Sequence, residues 1–61
     1  MTAIELNAAA KGFTRFVELT SSQVDLNVWI APETDLDSSF VGVCDDTGET
    51  LTVHGWNFEV A

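Results

Sequence analysis

The chain has 61 residues, of which 46% are hydrophobic, and its ten acidic and two basic side chains give a formal net charge of −8 at pH 7. A chain of this length makes one small domain, residues 1–61, and its shortage of Lys and Arg disfavours direct binding to nucleic acid or to an anionic membrane. One Cys and one His supply neither an internal disulfide nor the usual ligands of a structural zinc site.

The charges are spread unevenly along the chain. Lys11 and Arg15 are the only basic residues, and every acidic residue except Glu5 follows them. The field of such a chain would steer a basic partner toward it, although acidity also serves solubility alone. No apolar run approaches the roughly 18 residues of a membrane helix, and no signal-peptide pattern opens the chain. We therefore expect a cytoplasmic protein with a reduced thiol and no membrane contact.

The first predicted element is a short helix over about residues 3–11. Thr2 and Glu5 form a capping-box pattern, and a run of alanines with high helix propensity follows. Lys11 and Gly12 are typical of a helix C-terminus. A helix this short needs packing against the rest of the chain to be stable. A strand is the alternative, because apolar residues also alternate at Ile4, Leu6 and Ala8.

The next two elements are predicted to form an antiparallel pair of strands. Apolar and polar residues alternate over residues 24–30, which is typical of a half-buried strand. Residues 13–20 are the expected partner strand, turned at Ser21 and Ser22. A helix is the alternative for this second segment, although Gly12 weakens it, because apolar residues also fall at helical spacing at Leu6, Ala10, Phe13 and Val17.

The second half of the chain is predicted to add two more strands. Residues 32–39 are a loop by composition, and residues 40–44 and 50–60 are the strands. The apolar alternation changes phase after Val53, which predicts a bulge or bend at His54 and Gly55. The expected fold is α+β, a short N-terminal helix packed on a three- to four-stranded antiparallel meander sheet. An all-β small barrel is the alternative.

Residues 45–48 have the composition of a hairpin turn. A type I turn followed by a left-handed Gly48 would make a three-residue loop and place Cys44 opposite Thr50. Cys44 and His54 would then share a face about 13 Å apart, too far for a nucleophile and its base. This register also places four apolar residues on one face, namely Val41, Val43, Leu51 and Val53.

The sequence carries no motif for catalysis or for a cofactor. Phosphate-binding glycine loops, nucleophile elbows and zinc-protease helices are absent. Asp45, Asp46 and Glu49 lack the ligand spacing of a calcium loop. So small a chain also has little room for the deep pocket that tunes a catalytic carboxyl group. We therefore expect no enzymatic activity, no cofactor and no metal site.

Trp29 is the second informative residue. It occupies the polar side of its predicted strand, beside Asp25 and Asn27. If a helix or another strand covers that side, Trp29 belongs to the core. If the side is open, Trp29 is an aromatic anchor within a rim of carboxylates, a composition typical of binding hot spots. The sequence leaves both alternatives open.

Two functional hypotheses follow from these observations. The first is a small acidic protein-interaction module that binds a basic surface of a partner protein, as an inhibitor or nucleic-acid mimic. In size and charge the chain resembles small acidic proteins of phages and mobile elements. The alternative is a structural or accessory homo-oligomer, such as a homodimer, whose acidity serves solubility only. The partner-binding residues expected under the first hypothesis are Asp25, Trp29, Glu33, Asp35, Asp37, Asp45, Asp46 and Glu49.

Overall fold

The computed structural model describes residues 1–61 and shows one helix on a five-stranded antiparallel sheet. The spatial order of the strands is β4-β3-β2-β1-β5. This confirms the α+β prediction, with one strand more than expected, and the sheet does not close into a barrel. None of the helices has the length and apolar character that a membrane crossing requires. The elements are α1 (Ala3–Ala10), β1 (Arg15–Thr20), β2 (Asp25–Ile30), β3 (Ser39–Cys44), β4 (Thr50–His54), a 3₁₀ turn (Gly55–Asn57) and β5 (Glu59–Val60).

Helix α1 begins where the sequence predicts and ends one residue earlier, at Ala10, with Lys11 as its C-cap. The Thr2 hydroxyl accepts a hydrogen bond from the Glu5 amide at 3.0 Å, which satisfies one free donor of the first turn. At the other end Gly12 has a φ of +85°, a conformation that glycine adopts without steric cost. The amides of Gly12 and Phe13 bond back to the Ala9 and Ala8 carbonyls, as in a Schellman motif.

Residues 15–20 form a strand, so the helical alternative for this segment is wrong. β1 pairs with β2 along its whole length, from Arg15 opposite Ile30 to Thr20 opposite Asp25. The Ser21 hydroxyl holds the connecting turn by accepting from the Gln23 and Val24 amides. Val24 therefore lies in the turn, 55% exposed, and β2 starts one residue later than predicted.

The β3–β4 hairpin differs from the predicted register by one residue. Val43 lies opposite Thr50, and the Gly48 amide donates to the Cys44 carbonyl at 2.7 Å. The loop therefore has four residues, 45–48, and Gly48 still takes the expected left-handed conformation, with φ of +75°. A one-residue shift moves side chains to the other face. The four apolar residues expected on one face are thus divided between two, with Leu51 and Val53 on one side and Val41 and Val43 on the other.

The predicted bend at His54 and Gly55 is confirmed and ends β4. The Gly55 amide donates to the Ser38 carbonyl at 3.1 Å, and a Cβ atom at Gly55 would overlap the Leu36 carbonyl oxygen. Only glycine fits so close to another backbone segment. After Gly55 the chain passes over the side of the sheet that carries the hydrophobic core, where Phe58 packs. It then forms β5, which pairs with β1 at the opposite edge of the sheet.

The hydrophobic core lies on one side of the sheet, which we call the core face. Its buried side chains come from four strands, and partly buried Leu36 and Phe58 pack over them from the β2–β3 loop and the crossover. A Cβ atom at Gly42 would lie 3.1 Å from Ile30 Cγ2, so this glycine makes room for the fully buried Ile30. The buried residues of the core face are Val17, Leu19, Val28, Ile30, Phe40 and Val53.

Helix α1 covers part of the opposite side, which we call the helix face. The helix contacts β2 and β3, and the Lys11 ammonium donates to the Thr50 hydroxyl at 2.9 Å. Ala8 and Val43 are fully buried although neither belongs to the core-face cluster, which indicates a second small apolar layer. On the same face, Phe16 and Glu18 of β1 and Asp25 of β2 are exposed.

Candidate protein-binding face

Trp29 lies at the border of the region that α1 covers. It is half-buried, and its ring centroid is 5.0 Å from that of Phe16, its neighbour on β1. The indole N–H donates to Asp45 Oδ1 at 2.9 Å. Trp29 is therefore packed on the helix face and holds the Asp45 carboxylate in place. The more exposed aromatic ring is that of Phe16, at 40% exposure.

The carboxylates named as candidates from the sequence fall at two opposite ends of the sheet. Glu33, Asp35 and Asp37 lie in the loop after β2, where the Asp35 carboxylate accepts from the Asp37 amide at 3.0 Å. The other four, Asp25, Asp45, Asp46 and Glu49, lie near the start of β2 and the end of β3. β2 separates the two groups by about 17 Å, since a strand rises about 3.3 Å per residue. The loop group is therefore separate from the rest.

At the second end, strand pairing brings four carboxylates onto the helix face, and we call this group the acidic face. Thr20 has Asp25 on one side and Glu59 on the other. Asn27 has Glu18 on one side, and on the other Asp45, whose amide donates to the Asn27 carbonyl at 2.9 Å. Residues directly opposite on neighbouring strands share a face. The acidic face therefore consists of two staggered rows across four strands, with members Glu18, Asp25, Asp45 and Glu59.

The spacing of these carboxylates follows from sheet geometry. Glu18 is diagonal to both Asp25 and Glu59, and diagonal neighbours lie about 7–8 Å apart. A depression of about 350 Å³ is lined by Glu18 and Asp25, together with Asn27 and others. Glu18, Asp25 and Glu59 are exposed, and Asp45 is half-buried. A side chain that approaches this depression thus meets two carboxylates at once.

Few groups within the chain neutralise this charge. With ten acidic and two basic residues, at least eight carboxylates have no Lys or Arg of their own. Of the two cations, Lys11 bonds to the Thr50 hydroxyl of β4, and Arg15 lies opposite Ile30 on the core face. The Thr20 hydroxyl donates to Asp25 Oδ1 at 2.8 Å, which orients that carboxylate without cancelling its charge. The acidic face therefore retains a negative potential available to a partner.

Two of the four acidic-face residues, Glu18 and Glu59, were missed by the sequence reasoning. Glu18 alternates with buried Val17 and Leu19, a signal that places it on the other face of its strand. Glu59 reaches the same face only because β5 pairs with β1 across the sheet. No local pattern indicates that long-range pairing.

The single Cys and the single His are far apart. Cys44 is opposite Val28 and His54 is opposite Ser39, so the two are at opposite ends of the β3–β4 hairpin. The corrected register also places them on opposite faces, where the sequence had predicted one face. No group of three or more His, Cys, Asp or Glu side chains is arranged to hold a metal ion. Comparisons with protein-family models, curated proteins and solved structures found no match.

Proposed function

We propose that this protein is a small acidic protein-interaction module that binds a basic surface of a partner protein, as an inhibitor or nucleic-acid mimic. The observation that carries the proposal is the acidic face, four carboxylates that strand pairing brings onto the helix face, three of them exposed. Glu18, Asp25 and Glu59 stand on paired strands. Asp45 directly follows β3, where its backbone amide is bonded to β2. Binding groups held on regular structure lose little conformational freedom on association.

The chemistry of the acidic face fits arginine and lysine side chains. Carboxylates accept charge-assisted hydrogen bonds from guanidinium and ammonium groups. The exposed Phe16 ring adjoins this surface, because Phe16 precedes Glu18 by two residues on β1 and lies on the same face. Its ring offers a face for a cation–π contact. An aromatic ring beside carboxylates is a combination that favours arginine over lysine.

The remaining carboxylates have a different part in the proposal. Asp46 and Glu49 are exposed at the β3–β4 hairpin, and Glu33, Asp35 and Asp37 occupy the loop at the far end. The distance of the loop carboxylates from the acidic face makes them sources of long-range attraction rather than contacts, whereas Asp46 and Glu49 lie at its border. Such charges raise the association rate and are screened by salt. We therefore expect the acidic face to control the dissociation rate and the distant loop to control the association rate.

The experiment that tests this proposal compares two variants with the same change of net charge. In the first, Glu18→Gln, Asp25→Asn and Glu59→Gln neutralise the acidic face. In the second, Glu33→Gln, Asp35→Asn and Asp37→Asn neutralise the loop. Each tagged protein is used for affinity purification from the native host at low salt, and bound proteins are identified by mass spectrometry.

The expected result is a basic protein that the wild type and the loop variant retain and the acidic-face variant loses. Binding should weaken steeply as salt is raised, because exposed charges are screened. Equal loss in both variants would show that net charge alone attracts the partner. Binding that persists in both variants and at about molar salt would contradict an electrostatic interface altogether.

A further inference from the structure

The outer edge of β4 carries unpaired backbone groups. β4 is the last strand of the sheet on that side. The Cys44 amide donates to the Glu49 carbonyl at 2.9 Å, and the Gly55 amide donates to the Ser38 carbonyl at 3.1 Å. These two bonds fix which residues of β4 bond to β3. Because bonded and non-bonded pairs alternate in an antiparallel ladder, the residues that direct N–H and C=O outward are Thr50, Thr52 and His54. All three are exposed.

This edge has little of the usual protection against strand pairing beyond the Lys11 ammonium, which bonds to the Thr50 hydroxyl. Soluble proteins block exposed edges with charged side chains, proline, bulges or very short strands. β4 reads Thr-Leu-Thr-Val-His and holds no carboxylate, lysine or proline, in a chain with ten acidic residues. At the opposite edge, β5 has only two residues, includes Glu59 and covers only Leu19 and Thr20 of β1. The uncovered part of β1 carries the charged residues Arg15 and Glu18. β4 is therefore the edge that is open to another strand.

We propose that β4 pairs with β4 of a second copy of this chain, forming a symmetric dimer with one continuous antiparallel sheet. With the two-fold axis at Thr52, this residue lies opposite itself and Thr50 lies opposite His54 of the second copy. Each such pair exchanges two backbone hydrogen bonds, about six in total. Leu51 comes opposite Val53 of the second copy, which extends the apolar side of both core faces.

The charge distribution allows this pairing despite the net charge of −8. No carboxylate lies opposite another across the new junction, since Glu49 faces Gly55 of the second copy. The Glu18 residues of the two copies are seven strand spacings apart, roughly 34 Å. That separation is several Debye lengths at physiological ionic strength. The dimer does not depend on the acidic face, which it leaves open on both copies.

The position of Thr52 opposite itself permits a charge-swap experiment. Thr52→Lys and Thr52→Glu each place two like charges across the junction, and each should raise the dimer dissociation constant at least about tenfold. An equimolar mixture of the two variants should recover the dimer with one copy of each. Sedimentation velocity over a range of micromolar concentrations measures both effects. Ser22→Lys and Ser22→Glu, on the exposed turn after β1, are the matched controls and should sediment like the wild type.

Three results would overturn the proposal. One is a wild type that is monomeric at every concentration measured. Another is a pair of Thr52 variants that still dimerise like the wild type, and the third is a mixture that does not recover the dimer. Should either variant fail to fold by circular dichroism, hydrogen exchange of the wild type decides, because the Thr52 amide is protected only in the dimer. Rapid Thr52 exchange at concentrations where the protein is dimeric would place the interface elsewhere.

Discussion

The two faces of the sheet are completed by different means. On the core face, apolar side chains from four strands are covered by Leu36 and Phe58, which arrive on connecting segments. On the helix face, α1 contacts β2 and β3, and exposed side chains remain on this face, among them Phe16, Glu18 and Val41. A chain this short can seal one face fully. The other face needs only enough cover for stability, and its uncovered part is available for binding.

The largest expected effect concerns the crossover that seals the core face. Gly55→Ala would place a Cβ atom against the Leu36 carbonyl, so we expect a loss of about 3 kcal/mol or more in unfolding free energy. That approaches the whole stability of so small a domain. Gly12→Ala is the control, because its Cβ would meet nothing within 4 Å and only the positive φ costs about 1 kcal/mol. Urea unfolding followed by circular dichroism would measure both, and equal effects would contradict this description of the crossover.

A matched pair of valines compares the two faces directly. Val28 is fully buried on the core face and Val41 is 45% exposed on the helix face. We expect Val28→Ala to cost about 2–3 kcal/mol, through lost burial and a cavity, and Val41→Ala about 0.5 kcal/mol. Urea midpoints provide the measurement. Similar costs at the two positions would mean that the helix face is as well covered as the core face.

Substitution of Trp29 tests whether its packing and its hydrogen bond to Asp45 stabilise the helix face. Trp29→Phe removes the hydrogen bond to Asp45 and some buried area, and should cost about 1–2 kcal/mol. Trp56→Phe is the control, since Trp56 is 62% exposed and stacks only on His54. Thermal unfolding measures stability. If Trp29→Phe weakened partner binding without lowering the unfolding temperature, Trp29 would be a contact residue rather than a support for Asp45.

The smallest effect concerns the acidic face. Neutralising Glu18 and Asp25 as Gln and Asn removes a diagonal repulsion, so the unfolding midpoint should rise by about 1–2 °C at low salt. The gain should vanish at high salt, where screening already removes the repulsion. Calorimetry at two ionic strengths would detect it. A fall in the midpoint would show that these carboxylates stabilise the fold and would weaken the case for a binding role.

The sequence predicts the local elements of this fold well, because the signals that specify them are local. Thr2 and Gly12 mark the ends of α1, and alternation identifies β2. The β3–β4 register was predicted wrongly because residues 45–48 suit both a three-residue and a four-residue loop, and Gly48 is left-handed in each. Turn chemistry alone does not separate these loops when both faces of the hairpin carry apolar residues.

The candidate site was harder to predict because it depends on contacts between distant parts of the chain. The position of Trp29 relative to solvent depends on where α1 packs, and no residue of β2 encodes that. Glu18 and Glu59 lie on one face of neighbouring strands only because β5 pairs with β1. The negative character of the protein was evident from composition, but the grouping of its carboxylates required the strand order.

The pairing of β5 with β1 also bears on the order in which the sheet forms. The outer edge of β1 is paired only at Leu19 and Thr20, by Val60 and Glu59. The contact spans about 40 residues of chain, and closing so long a loop is slow relative to forming the adjacent hairpins. We therefore expect the outer edge of β1 to stay unpaired after the hairpins have formed, until β5 joins the sheet.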